Sequence, residues 1–323
     1  MTAVMGRSQR DIFGATLTEL GRRDSRIVVL DGDLANSTKV DLFAAEHPNR
    51  FFEAGLAEQN MMGAAAGLAA MGYVPFISTF ACFAICRTLD QIRVLIAQTR
   101  LNVKVVGSYG GILVGLNGKT HQVLDDFAVM RAMPNMTVIA PADAEETRQV
   151  VETAARTDGP MYIRLTRDAG PVVFDSAYRF ELGRGVRLRG GDAVAIISTG
   201  VQTARALEAA ESLAREGIEA TVLHLPTLKP LDVEAIVAVA RETGLVVTSE
   251  EHTIIGGLGG AVAEVLSAEL PTRIVRTGIA DTFAECGSNA DLLEKYGLSA
   301  HRVTDAVREA VRAARSGGVS AGG

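Results

Sequence analysis

The sequence predicts an α/β protein built as two domains in series, each a mostly parallel sheet flanked by helices. The chain has 323 residues, 48% of them hydrophobic and 22% charged, which is enough to bury two cores of ordinary size. Short apolar, β-branched runs alternate with stretches of helical periodicity along most of its length, the signature of βαβ units. Midway the alternation stops: residues 168–192 are rich in Gly and Arg, with isolated Pro and little periodicity.

In the first half, strand patterns fall at residues 27–30, 74–77, 103–106, 137–139 and 162–165. Helical patterns lie between them at 10–20, 58–71, 88–100 and 144–156. Asp143 followed by Glu146 reads as a capping box opening the last of these, and Gly72 and Gly159 as helix stops. After the break, strands are predicted at 193–198, 220–224, 245–249 and 273–277, with helices at 203–216, 233–243, 259–269 and 303–314. The expected division is a first domain over 1–170, a linker over 171–191, a second domain over 192–315, and a Gly/Ser-rich disordered tail over 316–323.

Composition removes several function classes. A net charge of −6 with interspersed signs offers no basic patch for nucleic acid. The Ala-rich run 63–71 is too short to span a bilayer and the N-terminus has no apolar signal core, so a cytoplasmic protein with no membrane partner is expected. Three cysteines, Cys82, Cys86 and Cys286, give no disulfide framework and no zinc spacing. With no Trp and 5% aromatics, the core must be aliphatic.

Two glycine-rich stretches imitate nucleotide loops and fail. In 113–120 (LVGLNGKT) the first glycine of a P-loop would fall on Leu113, and in 256–260 (GGLGG) the third glycine of a dinucleotide fingerprint would fall on Val262. Both read as tight turns at element ends. The GxSxG and HExxH hydrolase patterns do not occur.

The block from Phe51 to Pro141 carries the chemistry: FFEAGLAEQN, then STFACF, then RTLDQIR, then SYGGILVGLNGKTHQ. It resembles the pyrimidine-binding domain of the transketolase-like family of thiamine-diphosphate enzymes. SEEHTIIGGLGGAVAEVL and GIADTFAECGSNADLLEKYGLS resemble that family's C-terminal domain, so the resemblance runs from Arg10 to the last helix.

Taken alone, Glu58 is a first-turn glutamate favoured by the helix dipole. The resemblance implies more: a carboxyl sharing a proton with the aminopyrimidine ring of the cofactor. A partly buried carboxyl suits that role. Phe80 and Phe83 would otherwise be core; the family makes them an apolar wall on the pyrimidine, with Cys86 where an aromatic often stands. His121, in GKTHQ, matches an active-site histidine able to move protons near neutral pH. Asn117 stands where an aspartate usually binds a donor hydroxyl, and Tyr109 where many transketolases have histidine, as in deoxyxylulose-phosphate synthases. Arg10, Ser37 and Arg167 match the residues that hold a substrate phosphate, two guanidiniums and a hydroxyl being a sensible clamp. Asp33, in DGDLANS, matches a position near the cofactor at a subunit interface.

The family's diphosphate-binding domain carries a GDG signature, and no GDG occurs here; DGD at 31–33 has the wrong order and lies in the wrong domain. The resemblance therefore implies a split enzyme. A partner subunit, the N-terminal diphosphate-binding half, is expected to hold Mg²⁺ (or Ca²⁺) and the diphosphate, in an α2β2 assembly acting on sugar phosphates. Three rivals stay open: the β subunit of a 2-oxo-acid dehydrogenase, a split deoxyxylulose-phosphate synthase, and a non-catalytic assembly module.

Overall fold

A computed structural model describes residues 4–317. The strands, in chain order, are β1 (Met5–Ser8), β2 (Ile27–Asp31), β3 (Phe51–Glu53), β4 (Val74–Phe80), β5 (Lys104–Ser108), β6 (Thr137–Ile139), β7 (Met161–Arg164), β8 (Ala169–Pro171), β9 (Val186–Arg189), β10 (Val194–Ser198), β11 (Ala220–His224), β12 (Thr227–Lys229), β13 (Leu245–Thr253) and β14 (Arg273–Ile279). A seven-stranded sheet runs β12-β6-β7-β5-β4-β2-β3 and a five-stranded sheet runs β14-β13-β10-β11-β9. Each is parallel except at one edge: β12 lies antiparallel to β6, and β9 antiparallel to β11. β1 and β8 form a separate antiparallel pair.

Every residue of β2 is buried, because the first sheet is covered on both faces. Ile27 and Val29 pack with Phe13, Phe43, Phe76 and Val150 on one side. Val28 and Leu30 pack with Met61, Ile77 and Ile96 on the other. That second cluster continues into the C-terminal half through Ile197, Leu223 and Leu266, so the two sheets share it; it is mostly aliphatic, with Phe127 and Tyr162 among its members.

The predicted elements are present with shifted ends. Asp143 caps its helix (Ala144–Arg156) by accepting from the Glu146 N–H at 2.9 Å. The reciprocal bond is displaced: the Glu146 carboxylate accepts from Ala142 N–H and from His224, which tethers the second half of the chain. The helix predicted at 88–100 is a short α-turn, Leu89–Gln91, continuing as a π-helical stretch, Ile92–Ala97. The stretch read as linker contains β9, an edge strand of the second sheet, and begins with β8. β9, VRLR, alternates over only four residues and β8, AGP, is three residues long, too short a run for periodicity to separate from a loop. The last helix extends from Ala300 to Gly317, through the first two residues of the expected tail; 318–323 lie outside the described residues. No helix among the described residues is long and apolar enough to cross a membrane.

The strand order reverses between β2 and β4. The crevice beyond the carboxyl ends of β2, β4 and β5 is where an open α/β sheet binds ligands. It receives Asp31, Phe80 and Ser108 from the strand ends, and Tyr109 from the residue after β5.

Candidate active site

Glu58 is the first residue of the helix Glu58–Ala70 and is 3% exposed. Its Oε1 accepts from Arg87 Nη1 at 2.5 Å. Arg87 is half exposed, and its guanidinium carbon lies 3.9 Å from the centre of the Phe83 ring. Phe83 and Phe80 stack with centroids 5.8 Å apart, placed by the turn from β4 into the helix Ala81–Cys86. Cys86 sits one turn beyond Cys82 on that helix, and both line a cavity of about 650 Å³ with Phe83 and Arg87. Burial pushes the Cys82 thiol up to about 12 and raises that of Cys86, so both present neutral sulfur to the cavity. All three cysteines are free.

The predicted clamp assembles around Tyr109. Arg10 Nη1 donates to Tyr109 Oη at 2.6 Å and to the Ser37 carbonyl at 3.0 Å. Arg10 and Arg167 each place their guanidinium carbon 5.7 Å from the Tyr109 ring centre. Arg10 Nε, Arg167 Nε and Ser108 Oγ are buried atoms without a hydrogen bond, while the Ser37 hydroxyl donates to Asn36 Oδ1 at 3.1 Å and meets neither guanidinium. Tyr109 in turn stacks on Phe80, with centroids 4.0 Å apart. The clamp and the apolar wall are therefore one contiguous surface.

His121 closes that surface, with its ring 5.4 Å from Phe83 and 6.1 Å from Phe80, edge-on to both. Its Nδ1 contacts Thr120 Oγ1 at 3.0 Å. Glu58, Phe80, Phe83, His121, Tyr109, Arg10, Ser37 and Arg167 thus form a continuous cluster, with Cys86 at its margin. Asn117 and Asp33 stand apart. Asn117 is exposed at the end of a 3₁₀ turn, Gly115–Asn117, whose first residue is buried, in the loop that leads to His121. Asp33 is exposed with a positive φ of 63°, and its N–H donates to Glu53 Oε1 at 2.9 Å.

Three residues at or beside the site escaped the sequence reading. Arg87 occupies the ground between Glu58 and Phe83. Asp31, at the carboxyl end of β2, is fully buried with Oδ1 unpartnered, and burial together with the facing Glu53 pushes it up to about 7. Glu53 gathers the N–H groups of Asp33 and Gly55, tying the turn before Ser37 to the approach of Glu58. The available signal was the acidic end of each of two adjacent parallel strands, which brings like charges together when the strands pair in register.

A buried carboxylate beside an aromatic face takes a planar, N–H-bearing, electron-poor ring. The Arg87 guanidinium already makes both contacts, so the residues present fit the aminopyrimidine of thiamine diphosphate. No group of three or more His, Cys, Asp or Glu able to hold a metal ion occurs among the described residues.

Comparison with known proteins agrees with this geometry. Residues 6–172 match the family model "Transketolase, pyrimidine binding domain" and residues 183–303 match "Transketolase, C-terminal domain". A putative transketolase C-terminal section from Methanocaldococcus jannaschii is 43% identical over 95% of this chain and 97% of its own length. The 6-deoxy-6-sulfo-D-fructose transketolase subunit SqwH of Clostridium sp. (strain MSTE9) is 44% identical, covering 93% of each. Among solved structures, a split-gene transketolase described as an inactive β4 tetramer superimposes with a TM-score of 0.89 at 50% identity, over 95% of this chain and 99% of the other.

Proposed function

The chain belongs to the transketolase family and corresponds to the C-terminal section of a split transketolase, and from that premise we propose that it is the pyrimidine-side subunit of a two-chain ketol-transfer enzyme. Its partner supplies the diphosphate-binding domain and holds the metal ion, Mg²⁺ or Ca²⁺, in an α2β2 assembly. The donor is a ketose phosphate and the acceptor an aldose phosphate. The observation that carries this reading is the continuity of the surface from Glu58 across Phe83 and Phe80 to Tyr109, Arg10 and Arg167.

Thiamine diphosphate, when bound, supplies the electron sink for breaking the bond beside a ketose carbonyl. The side chains of this chain do the rest. Glu58 exchanges Arg87 for the ring and holds a proton at its nitrogen. Phe80 and Phe83 stack on the ring and exclude water. His121, with Nδ1 engaged by Thr120, keeps Nε2 for a substrate hydroxyl. Arg10 and Arg167 hold the tetrahedral anion at the far end of the sugar, and Tyr109 fixes Arg10 in place. A guanidinium pair accepts phosphate or sulfonate alike, and a sulfo-sugar is what the SqwH relative's name specifies, so both anions belong in the assay.

To test the proposal, the chain is mixed with its diphosphate-binding partner, thiamine diphosphate and Mg²⁺, and ketol transfer is followed with phosphorylated and sulfonated sugars, alongside pyruvate decarboxylation. Ketol transfer that needs both chains supports it. Full activity from this chain alone, or pyruvate decarboxylation in its place, overturns it. Absence of cofactor binding by the assembled pair would support the assembly-module reading instead.

A further inference from the structure

The loop from Tyr109 to Gln122 carries Tyr109, Asn117 and His121, yet much of its hydrogen bonding is with the C-terminal half of the chain. Glu251, on β13, accepts from Ile112 N–H at 2.8 Å and Leu113 N–H at 3.0 Å. Asn289, which opens the helix Asn289–Lys295, accepts from Gly115 N–H at 3.1 Å and donates to the Leu113 carbonyl at 3.2 Å. Gly287 N–H donates to the Gly115 carbonyl at 3.2 Å, and Gln122 Nε2 to the Glu285 carbonyl at 3.1 Å. The fit leaves no slack. A methyl group on Gly111, whose φ is +75°, would lie 2.2 Å from Glu251 Oε1; one on Gly115 would lie 2.3 Å from the Gly287 carbonyl oxygen. Glu251 is itself held, since Arg164 Nη2 donates to its backbone carbonyl at 2.8 Å and the charges of Arg164 and Arg205 face its carboxylate.

We propose that Glu251 and Asn289 are positioning residues: they hold the 111–117 backbone so that Asn117 and His121 meet the sugar, which makes the C-terminal domain a determinant of substrate fit. This rests on the reading of the site given above. Neither residue touches Glu58; both act through the loop, and Asn289 also donates to Asp168 Oδ2, beside Arg167, at 2.9 Å, so their effect falls first on the sugar end of the site. Displacing a substrate-facing loop by about an ångström costs up to about 100-fold in rate. Losing one of several anchors is expected to cost about 10-fold.

The test uses the assembled pair with Asn289→Ala, Glu251→Ala and Glu251→Gln. Asn289→Ala is expected to raise KM for the aldose phosphate about 10-fold, with thiamine diphosphate affinity and the unfolding midpoint unchanged. Deuterium exchange at the amides of residues 112–117 should be faster. Glu251→Gln, which keeps one acceptor oxygen, should recover part of what Glu251→Ala loses in both measurements. Wild-type exchange rates in Asn289→Ala, or faster exchange with KM unmoved, would overturn the proposal. If the wild-type pair shows no ketol transfer, the functional reading fails instead, and the exchange measurement alone decides whether these residues hold the loop.

Discussion

Glu58 and Glu251 are both buried glutamates, and their partners set them apart. Glu251 is bonded to two backbone N–H groups and faced by the buried Arg164 and the partly buried Arg205, and its neighbour Glu250 likewise takes the N–H groups of Leu258 and Gly259 at 2.6 and 2.8 Å. Glu58 has a single side-chain partner, and that partner is half exposed. A carboxylate satisfied by fixed backbone cannot exchange its ligands without unfolding a loop. One satisfied by a mobile guanidinium can, by a rotamer change. The first kind organises the fold, and the second is free for a ligand.

Three substitutions sharpen the contrast, in falling order of expected effect. Glu58→Ala in the assembled pair is expected to lower ketol transfer about 10²–10⁴-fold, the usual worth of a positioned proton-transfer group, with the unfolding midpoint held. Activity near wild type, measured by sugar-phosphate turnover, would place Glu58 with the structural carboxylates.

Asp31 tests the acidic pair behind the cluster. Its folded value is raised from 3.8 to about 7, so its contribution to stability is complete below the unfolded value and is lost as pH rises through about 7. The loss amounts to about 4 kcal/mol at most. Denaturant unfolding from pH 4 to 8 should therefore show Asp31→Asn with a flatter profile than the wild type, and gaining on it toward pH 8. Parallel profiles would contradict the raised Asp31 value, whose first cause is burial and whose second is Glu53.

Arg87→Ala is the mildest. Glu58 is buried at its end of this pair, so the variant leaves a carboxyl unpartnered and stability should fall by about 1–3 kcal/mol. Cofactor affinity of the pair, read by calorimetry, should tighten a few-fold because Glu58 and Phe83 stand vacant. Weaker binding would mean that Arg87 holds the cofactor and does not yield to it.

What the sequence made legible was local. Glu58, Phe80, Phe83 and His121 lie in short motifs whose spacing survives in one dimension, and β2, β4 and β5 announce themselves as apolar runs. The roles of all these residues came through resemblance, and for the clamp the motifs themselves gave nothing more, since Arg10, Ser37 and Arg167 come from distant segments and nothing in their surroundings distinguishes them from surface residues. Arg87 stayed hidden because a helix-terminal arginine seven residues past a strand has no fixed target in the sequence. Of the two failed nucleotide loops, the second is the more instructive. A methyl group on Gly257 would lie 2.0 Å from Glu250 Oε2, and the Leu258 and Gly259 N–H groups donate to that carboxylate. The glycines do admit an anion to backbone N–H groups, and the anion is a glutamate of the SEE segment of β13. Glycine spacing records the close approach but not what approaches.

The most direct measurement is the exchange rate of the thiamine diphosphate C2 proton in the assembled pair, followed by quenched-flow NMR for the wild type and for Glu58→Gln at saturating cofactor. If Glu58 holds the proton at the pyrimidine nitrogen, exchange slows by about 100-fold or more in the variant while the cofactor stays bound. Equal rates with the cofactor bound would contradict the role assigned to Glu58 and, with it, the site built around it.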